Sequence, residues 1–264
     1  MIVAGIDIGA RYTKLIFLDD KKNIVGLKKS PAGYVQNEAA SKLIAELCKE
    51  TGIVFEEIEY IMATGEGKNL INFSNDNVSE LLAIRKAVTT LFPEVRTIIE
   101  VGAEESKAVK IDSSGKVVDT VANEKCAAGS GAFTESMART LEMTLEEFAQ
   151  ISMESEKKIS MNAQCTVFAE SEVVSLIHSG VDKKDIAKAV NDAIAGRVAS
   201  MARRLTIEPE VILIGGMAKN IGFVTSLKNI LELDNLIVPE NPEYITAYGA
   251  ALLALNNKVT SGGH

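Results

Sequence analysis

The chain has 264 residues, 47% of them apolar, with 28 basic and 36 acidic side chains and a net charge of −8. That length and apolar content fit two lobes with separate cores and exclude a disordered chain. The acidic balance argues against nucleic acid or an anionic membrane as partner, and no apolar run approaches the roughly 18 residues of a membrane span. Three cysteines, an odd number, do not make a disulfide framework. The first strand is expected to open almost at the first residue, so a cytoplasmic protein without a cleaved leader is the expectation.

Ile2–Ile8, Thr13–Leu18 and Asn23–Leu27 read as an antiparallel meander turned by Asp-Asp-Lys-Lys. Asn37–Glu50 has helical spacing through Ala40, Leu43, Ile44 and Leu47. A short strand follows at Ile58–Met62 and runs into Ala63-Thr64-Gly65-Glu66-Gly67. A helix is predicted over Asp76–Leu91, stopped by Pro93. The pattern then restarts with strands at Thr97–Val101, Ala108–Ile111 and Lys116–Val121. Helices are predicted at Ala128–Leu141, Leu145–Met153, Thr166–His178 and Lys183–Leu205, then a buried strand Val211–Ile214 ahead of Gly215-Gly216, and a last helix over Thr246–Leu255. The order is that of an α/β protein with mixed sheets. The expected lobes are residues 1–94, joined by the C-terminal helix 246–256, and residues 95–245.

The restart is a repeat. Ile6-Asp7-Ile8-Gly9-Ala10, then Lys14 and Asp19, recurs 93 residues later as Ile99-Glu100-Val101-Gly102-Ala103, then Lys107 and Asp112. A Gly turn between strands exposes backbone N–H groups and lets a phosphate come close. Either turn alone is also what an ordinary hairpin needs; the repetition, with Gly215-Gly216 after an apolar strand, favours two loops that hold a nucleotide polyphosphate between lobes. Lys14 and Lys107 add positive charge, and the acid closing each first strand suits Mg²⁺. Cys126 and Cys165 each stand just ahead of a predicted helix, where unpaired N–H groups favour an anion. Read from the residues alone they are either buried or capping cysteines or ligands.

Asp7-Ile8-Gly9, Glu100-Val101-Gly102, Ile214-Gly215-Gly216 and Ala247-Tyr248-Gly249-Ala250-Ala251 together resemble the acetate and sugar kinase/Hsc70/actin superfamily. The stretches Asn123–Phe133 and Cys165–Val173 narrow the match. They resemble the ATP-dependent activators of 2-hydroxyacyl-CoA dehydratases and the ATPase subunits of benzoyl-CoA reductases, over nearly the whole chain. The resemblance implies a two-lobed actin-like ATPase (ribonuclease H-like) fold with duplicated mixed sheets and an interlobe nucleotide cleft. It implies catalytic roles for Asp7, Glu100 and Glu104. It implies ATP/ADP contacts at Gly9, Ala10, Lys14, Gly102, Ala103, Lys107, Gly129, Ser130, Gly131, Glu135, Gly215, Gly216, Met217 and Gly249. It implies Cys126 and Cys165 as ligands of one [4Fe–4S] cluster per dimer, because two thiolates per subunit make four across a two-fold axis. Cys48 matches no cluster motif and reads as structural. The implied partners are a second copy of the chain, or a paralogous ATPase subunit in a heterodimer, with ferredoxin or flavodoxin as donor and a dehydratase or reductase component as acceptor. The alternative is a small-molecule kinase on the same fold without a cluster.

The chain departs from the activator pattern at the second loop. Asp-Ile-Gly-Gly-Gln-Asp is replaced by Glu100-Val101-Gly102-Ala103-Glu104-Glu105, Thr-Gly-Tyr-Gly by Thr64-Gly65-Glu66-Gly67, and Ser-Cys-His-Ala by Leu82-Ala83-Ile84-Arg85. Three carboxylates beside a terminal phosphate repel it unless a cation intervenes, so hydrolysis is in more question than cluster binding.

Overall fold

The computed structural model describes residues 1–123, 130–161 and 166–261. The chain forms two compact units, residues 1–94 with the segment from Tyr244 on, and Val95–Glu243. Among the described residues no helix is long and apolar enough to cross a membrane.

The first unit is built on a five-stranded sheet ordered β3-β2-β1-β4-β5. Its strands are β1 (Ile2–Ile8), β2 (Tyr12–Asp19), β3 (Ile24–Pro31), β4 (Ile58–Thr64) and β5 (Asp76–Asn77). β1 pairs antiparallel with β2 and parallel with β4. It is buried on both faces, and each face has its own cause. Ile6 and Ile8, with Leu15 and Phe17 of β2, pack on the stripe Ala40, Leu43, Ile44 and Leu47 of α1 (Gln36–Thr51). On the other face Gly5 lets α8 (Ile245–Ser261) lie flat on the strand, for a Cβ there would stand 2.0 Å from the Ala247 carbonyl oxygen. α2 (Glu80–Leu91) packs against α8. It starts four residues later than the pattern predicted, because Asp76–Asn77 pair with Met62 and Ala63 as a strand and Ser79 caps the helix by accepting from the Leu82 N–H at 3.3 Å.

The second unit repeats the plan. Its four-stranded sheet is ordered β8-β7-β6-β9, from β6 (Thr97–Val101), β7 (Ser106–Ile111), β8 (Val117–Asn123) and β9 (Val211–Ile214). Asp7 faces Lys14 across β1 and β2, and Glu100 faces Lys107 across β6 and β7. Even the irregularity recurs, between Phe17 and Leu18 in one unit and Lys110 and Ile111 in the other. The closing acids do the same work. Asp19 accepts from the N–H groups of Lys21 and Asn23, and Asp112 from those of Ser114 and Lys116. Helices α3 (Gly131–Thr140), α4 (Leu145–Ser152), α5 (Thr166–His178), α6 (Lys183–Ala202) and α7 (Ile221–Ile230) complete the unit. Phe133, Met137, Phe148, Ile194, Val198 and Phe223 join Ile99, Val101 and Leu213 in one core.

Candidate nucleotide site

In the first unit the structure brings Asp7, Gly9 and Lys14 together. Asp7, the last residue but one of the central strand, is buried, and its Oδ2 accepts from Lys14 Nζ at 2.9 Å. The Gly9 N–H donates to the Tyr12 carbonyl at 3.2 Å, closing the turn that carries the exposed Ala10. A Cβ on Gly9 would stand 3.1 Å from Lys14 Nζ, so glycine keeps the ammonium side of the turn open. In the second unit Lys107 lies 3.3 Å from carboxylate oxygens of both Glu100 and Glu105, while Glu104 is exposed. The charge surplus expected from three adjacent carboxylates is therefore partly neutralised from within the loop: one lysine serves two of them.

The first turn of α3 is fastened to this loop. The Gly131 N–H donates to the Gly102 carbonyl at 2.9 Å, and the Ala132 N–H to the Ala103 carbonyl at 2.8 Å. Ser130, fully buried, is the residue before the helix. α3 is described from Gly131, its first two amides already have acceptors, and the predicted start at Ala128 lies outside the described residues. The expectation of free helix N–H groups directly behind Cys126 falls on residues outside those described; the Gly131 and Ala132 amides are taken by the loop carbonyls. α5 starts at Thr166 as predicted. Met217, two residues beyond Gly215, meets the same helix: Thr134 Oγ1 lies 3.4 Å from its Sδ. Gly102, Ala103, Ser130, Gly131 and Met217 thus form one cluster, with Glu135 half-buried in the following turn. Cys126, Gly129 and Cys165 lie outside the described residues. Cys48 is buried in α1, and burial pushes its thiol pKa up.

The two glycines after β9 differ. Gly215 has φ of +91°, and a Cβ there would stand 2.4 Å from the Val101 carbonyl oxygen. Gly216 has open space where its Cβ would be. Gly249 sits in α8 against α2, where a Cβ would come within 1.8 Å of the Ala83 carbonyl oxygen, so helix packing alone requires glycine there. The sequence reading names Gly65 in Thr64-Gly65-Glu66-Gly67 but does not pair it with Gly215, its counterpart in the second unit. Gly65 follows β4 with φ of +90°, and its Cβ would stand 2.4 Å from the Ile8 carbonyl oxygen and 2.7 Å from Asp7 Oδ1. The signal is in the sequence: Gly65 directly follows β4, which is parallel to β1, as Gly215 directly follows β9, which is parallel to β6.

The model of the BadF/BadG/BcrA/BcrD ATPase family matches residues 4–254. The chain belongs to that family. An activator of lactoyl-CoA dehydratase from Anaerotignum propionicum is 36% identical over 254 residues, covering 96% of this chain and 97% of its own. The (R)-2-hydroxyglutaryl-CoA dehydratase activating ATPase of Acidaminococcus fermentans is 34% identical over 251 residues, covering 95% of each. Among solved structures, an activator of 2-hydroxyisocaproyl-CoA dehydratase from Clostridium difficile, with bound ADPNP, superposes with a TM-score of 0.95 at 33% identity, covering 99% of this chain and 97% of that one. The family's two mixed sheets with flanking helices are the actin-like ATPase fold seen in the two units here.

Proposed function

We propose that this chain is an ATP-dependent electron-transfer activator. It couples ATP hydrolysis to delivery of single low-potential electrons to a 2-hydroxyacyl-CoA dehydratase, a benzoyl-CoA reductase or a similar double-cluster reductase. In this reading the turns at Gly9-Ala10 and Gly102-Ala103 meet nucleotide phosphates. Gly216 leaves room for the nucleoside, and the Asp7 and Glu100 carboxylates take Mg²⁺, with Lys14 and Lys107 beside them. The observation that carries it is the fastening of α3 to the second loop by two backbone hydrogen bonds of 2.9 and 2.8 Å. A loop that shifts with the state of the phosphates shifts the start of the helix that follows Cys126, which is how nucleotide chemistry reaches the cysteine stretch.

Cys126 and Cys165 of two protomers would hold one [4Fe–4S] cluster on the dimer axis, and the group supplies one-electron chemistry when bound. The two cysteines are the ligands that the resemblance implies, and they lie outside the described residues. The surface of α5 supports a partner there. Beginning directly after Cys165, it exposes Phe168 (70%) and Val174 (39%), large apolar side chains that a second protomer would cover. Ferredoxin or flavodoxin would be the donor. In the test, anaerobically purified protein, a reduced donor and a purified dehydratase are mixed with ATP, with ADP or without nucleotide. ATP-dependent reduction of the acceptor is expected. ATP-driven phosphorylation of a small molecule with no acceptor reduction would make the chain a kinase of the same fold instead.

A further inference from the structure

Thr64 closes β4 directly beside Asp7, as its register partner on the same face of the sheet. It is fully buried, and its hydroxyl has no hydrogen-bond partner among the described residues. Leaving a buried hydroxyl unmatched is unfavourable, and an apolar side chain of the same shape avoids that cost. The repeat shows what the position holds when the hydroxyl is dispensable. Glu100 is the counterpart of Asp7, and its register partner on the parallel strand is Ile214, fully buried and apolar. One fold, used twice in one chain, carries an oxygen beside the acid in the first unit and a hydrocarbon in the second.

Lys14 holds Oδ2 of Asp7 at 2.9 Å, and Gly65, adjacent in sequence to Thr64, crowds Oδ1 so closely that a Cβ would lie 2.7 Å away. The other buried oxygens without a described partner in this unit, those of Thr13, Ser30 and Gln36, are not register partners of Asp7.

We propose that Thr64 is a positioning residue for ATP hydrolysis: its hydroxyl holds a water against the Asp7 carboxylate and so fixes that carboxylate toward the nucleotide. A buried water bridging two polar groups is a common element of protein interiors and satisfies both. The inference rests on the ATPase reading of the same site. The role acts through the direction of the Asp7 carboxylate, so its loss is expected in kcat more than in affinity.

The experiment compares Thr64→Val, which keeps the shape and deletes the hydroxyl, with Thr64→Ser, which keeps the hydroxyl. Steady-state ATPase kinetics, calorimetric affinity for a non-hydrolysable ATP analogue and thermal unfolding are measured on all three proteins. The expected result is a loss of about tenfold in kcat for Thr64→Val, with affinity within about threefold of wild type and a folded protein, and kcat restored to within about threefold in Thr64→Ser. Wild-type kcat in Thr64→Val overturns the proposal and leaves the ATPase reading standing, whether or not the melting temperature moves. Equal losses in Thr64→Val and Thr64→Ser overturn it too, because the hydroxyl would then not be the cause. A wild-type protein that binds the analogue without hydrolysing ATP, or does not bind it, removes the ATPase reading itself and this role with it.

Discussion

Gly215 and Gly216 are neighbours in different settings. At Gly215 the backbone is left-handed and the Val101 carbonyl occupies the place of a side chain. Gly215→Ala should therefore cost about 2 kcal/mol or more in urea-unfolding stability. At Gly216 nothing stands within 4 Å of the place a Cβ would take, so Gly216→Ala should stay within about 0.5 kcal/mol of wild type. If that open space is where the nucleoside lies, the same variant weakens ATP-analogue binding by about tenfold or more, since an added methyl must be displaced or avoided. Unfolding curves and calorimetry on the two variants check both halves. The Glu100–Lys107–Glu105 arrangement belongs at this scale as well. A loop that looks overloaded with negative charge in sequence is tempered by a cation placed opposite Glu100 by strand register.

Between α4 and α5 the chain is held by a buried acid. Asp185, in the first turn of α6 and 1% exposed, accepts from Lys157 Nζ at 2.6 Å and from Ser155 Oγ at 2.7 Å. The Lys157 ammonium first, and the Ser155 hydroxyl second, hold the Asp185 pKa below the usual carboxylate value. An unfolded aspartate titrates near 3.9, and a folded pKa below that contributes stability that is present above it and lost as pH falls through the folded value. Wild-type melting temperature should therefore fall more steeply below about pH 4 than that of Asp185→Asn, whose side chain does not titrate. Parallel slopes would show that the tie carries no stability.

Element boundaries show where sequence was legible. Apolar runs and periodicity give β1, β6, β9 and α1 to within a residue or two, because those segments are buried against neighbours; α5 is matched too, although only Ala169 and Val173 of its described side chains are buried. α7 went unseen. Gly222 sits in its first turn and a short apolar stretch surrounds it, so propensity argued against a helix. The signal that decides it is a cap, for Asn220 accepts from the Phe223 N–H at 3.1 Å. Gly222 is itself demanded by packing, since a Cβ would stand 2.1 Å from Ser152 Oγ. The early residues of the predicted helix at Asp76 were misjudged for a similar reason: two polar residues become a strand only because β4 is there to pair with them.

For the molecule as a whole, duplication is the feature from which the rest follows. The sequence repeat of a few residues extends in three dimensions to matched strand orders, matched acid–lysine pairs, matched turns at Asp19 and Asp112, and matched left-handed glycines at Gly65 and Gly215. Outside the repeat lies the insert between β8 and β9, with α3 to α6 and both cysteine stretches, where the proposal puts electron transfer. In the proposal nucleotide handling centres on the duplicated loops and electron handling on the insert, and the start of α3 joins the two. The most direct test of their union is iron and acid-labile sulfide per polypeptide in protein purified without oxygen, alongside Cys126→Ala and Cys165→Ala. The account predicts about two irons and two sulfides per wild-type chain, a brown dimer, and loss of both from either variant. A colourless wild-type protein that still hydrolyses ATP would contradict it.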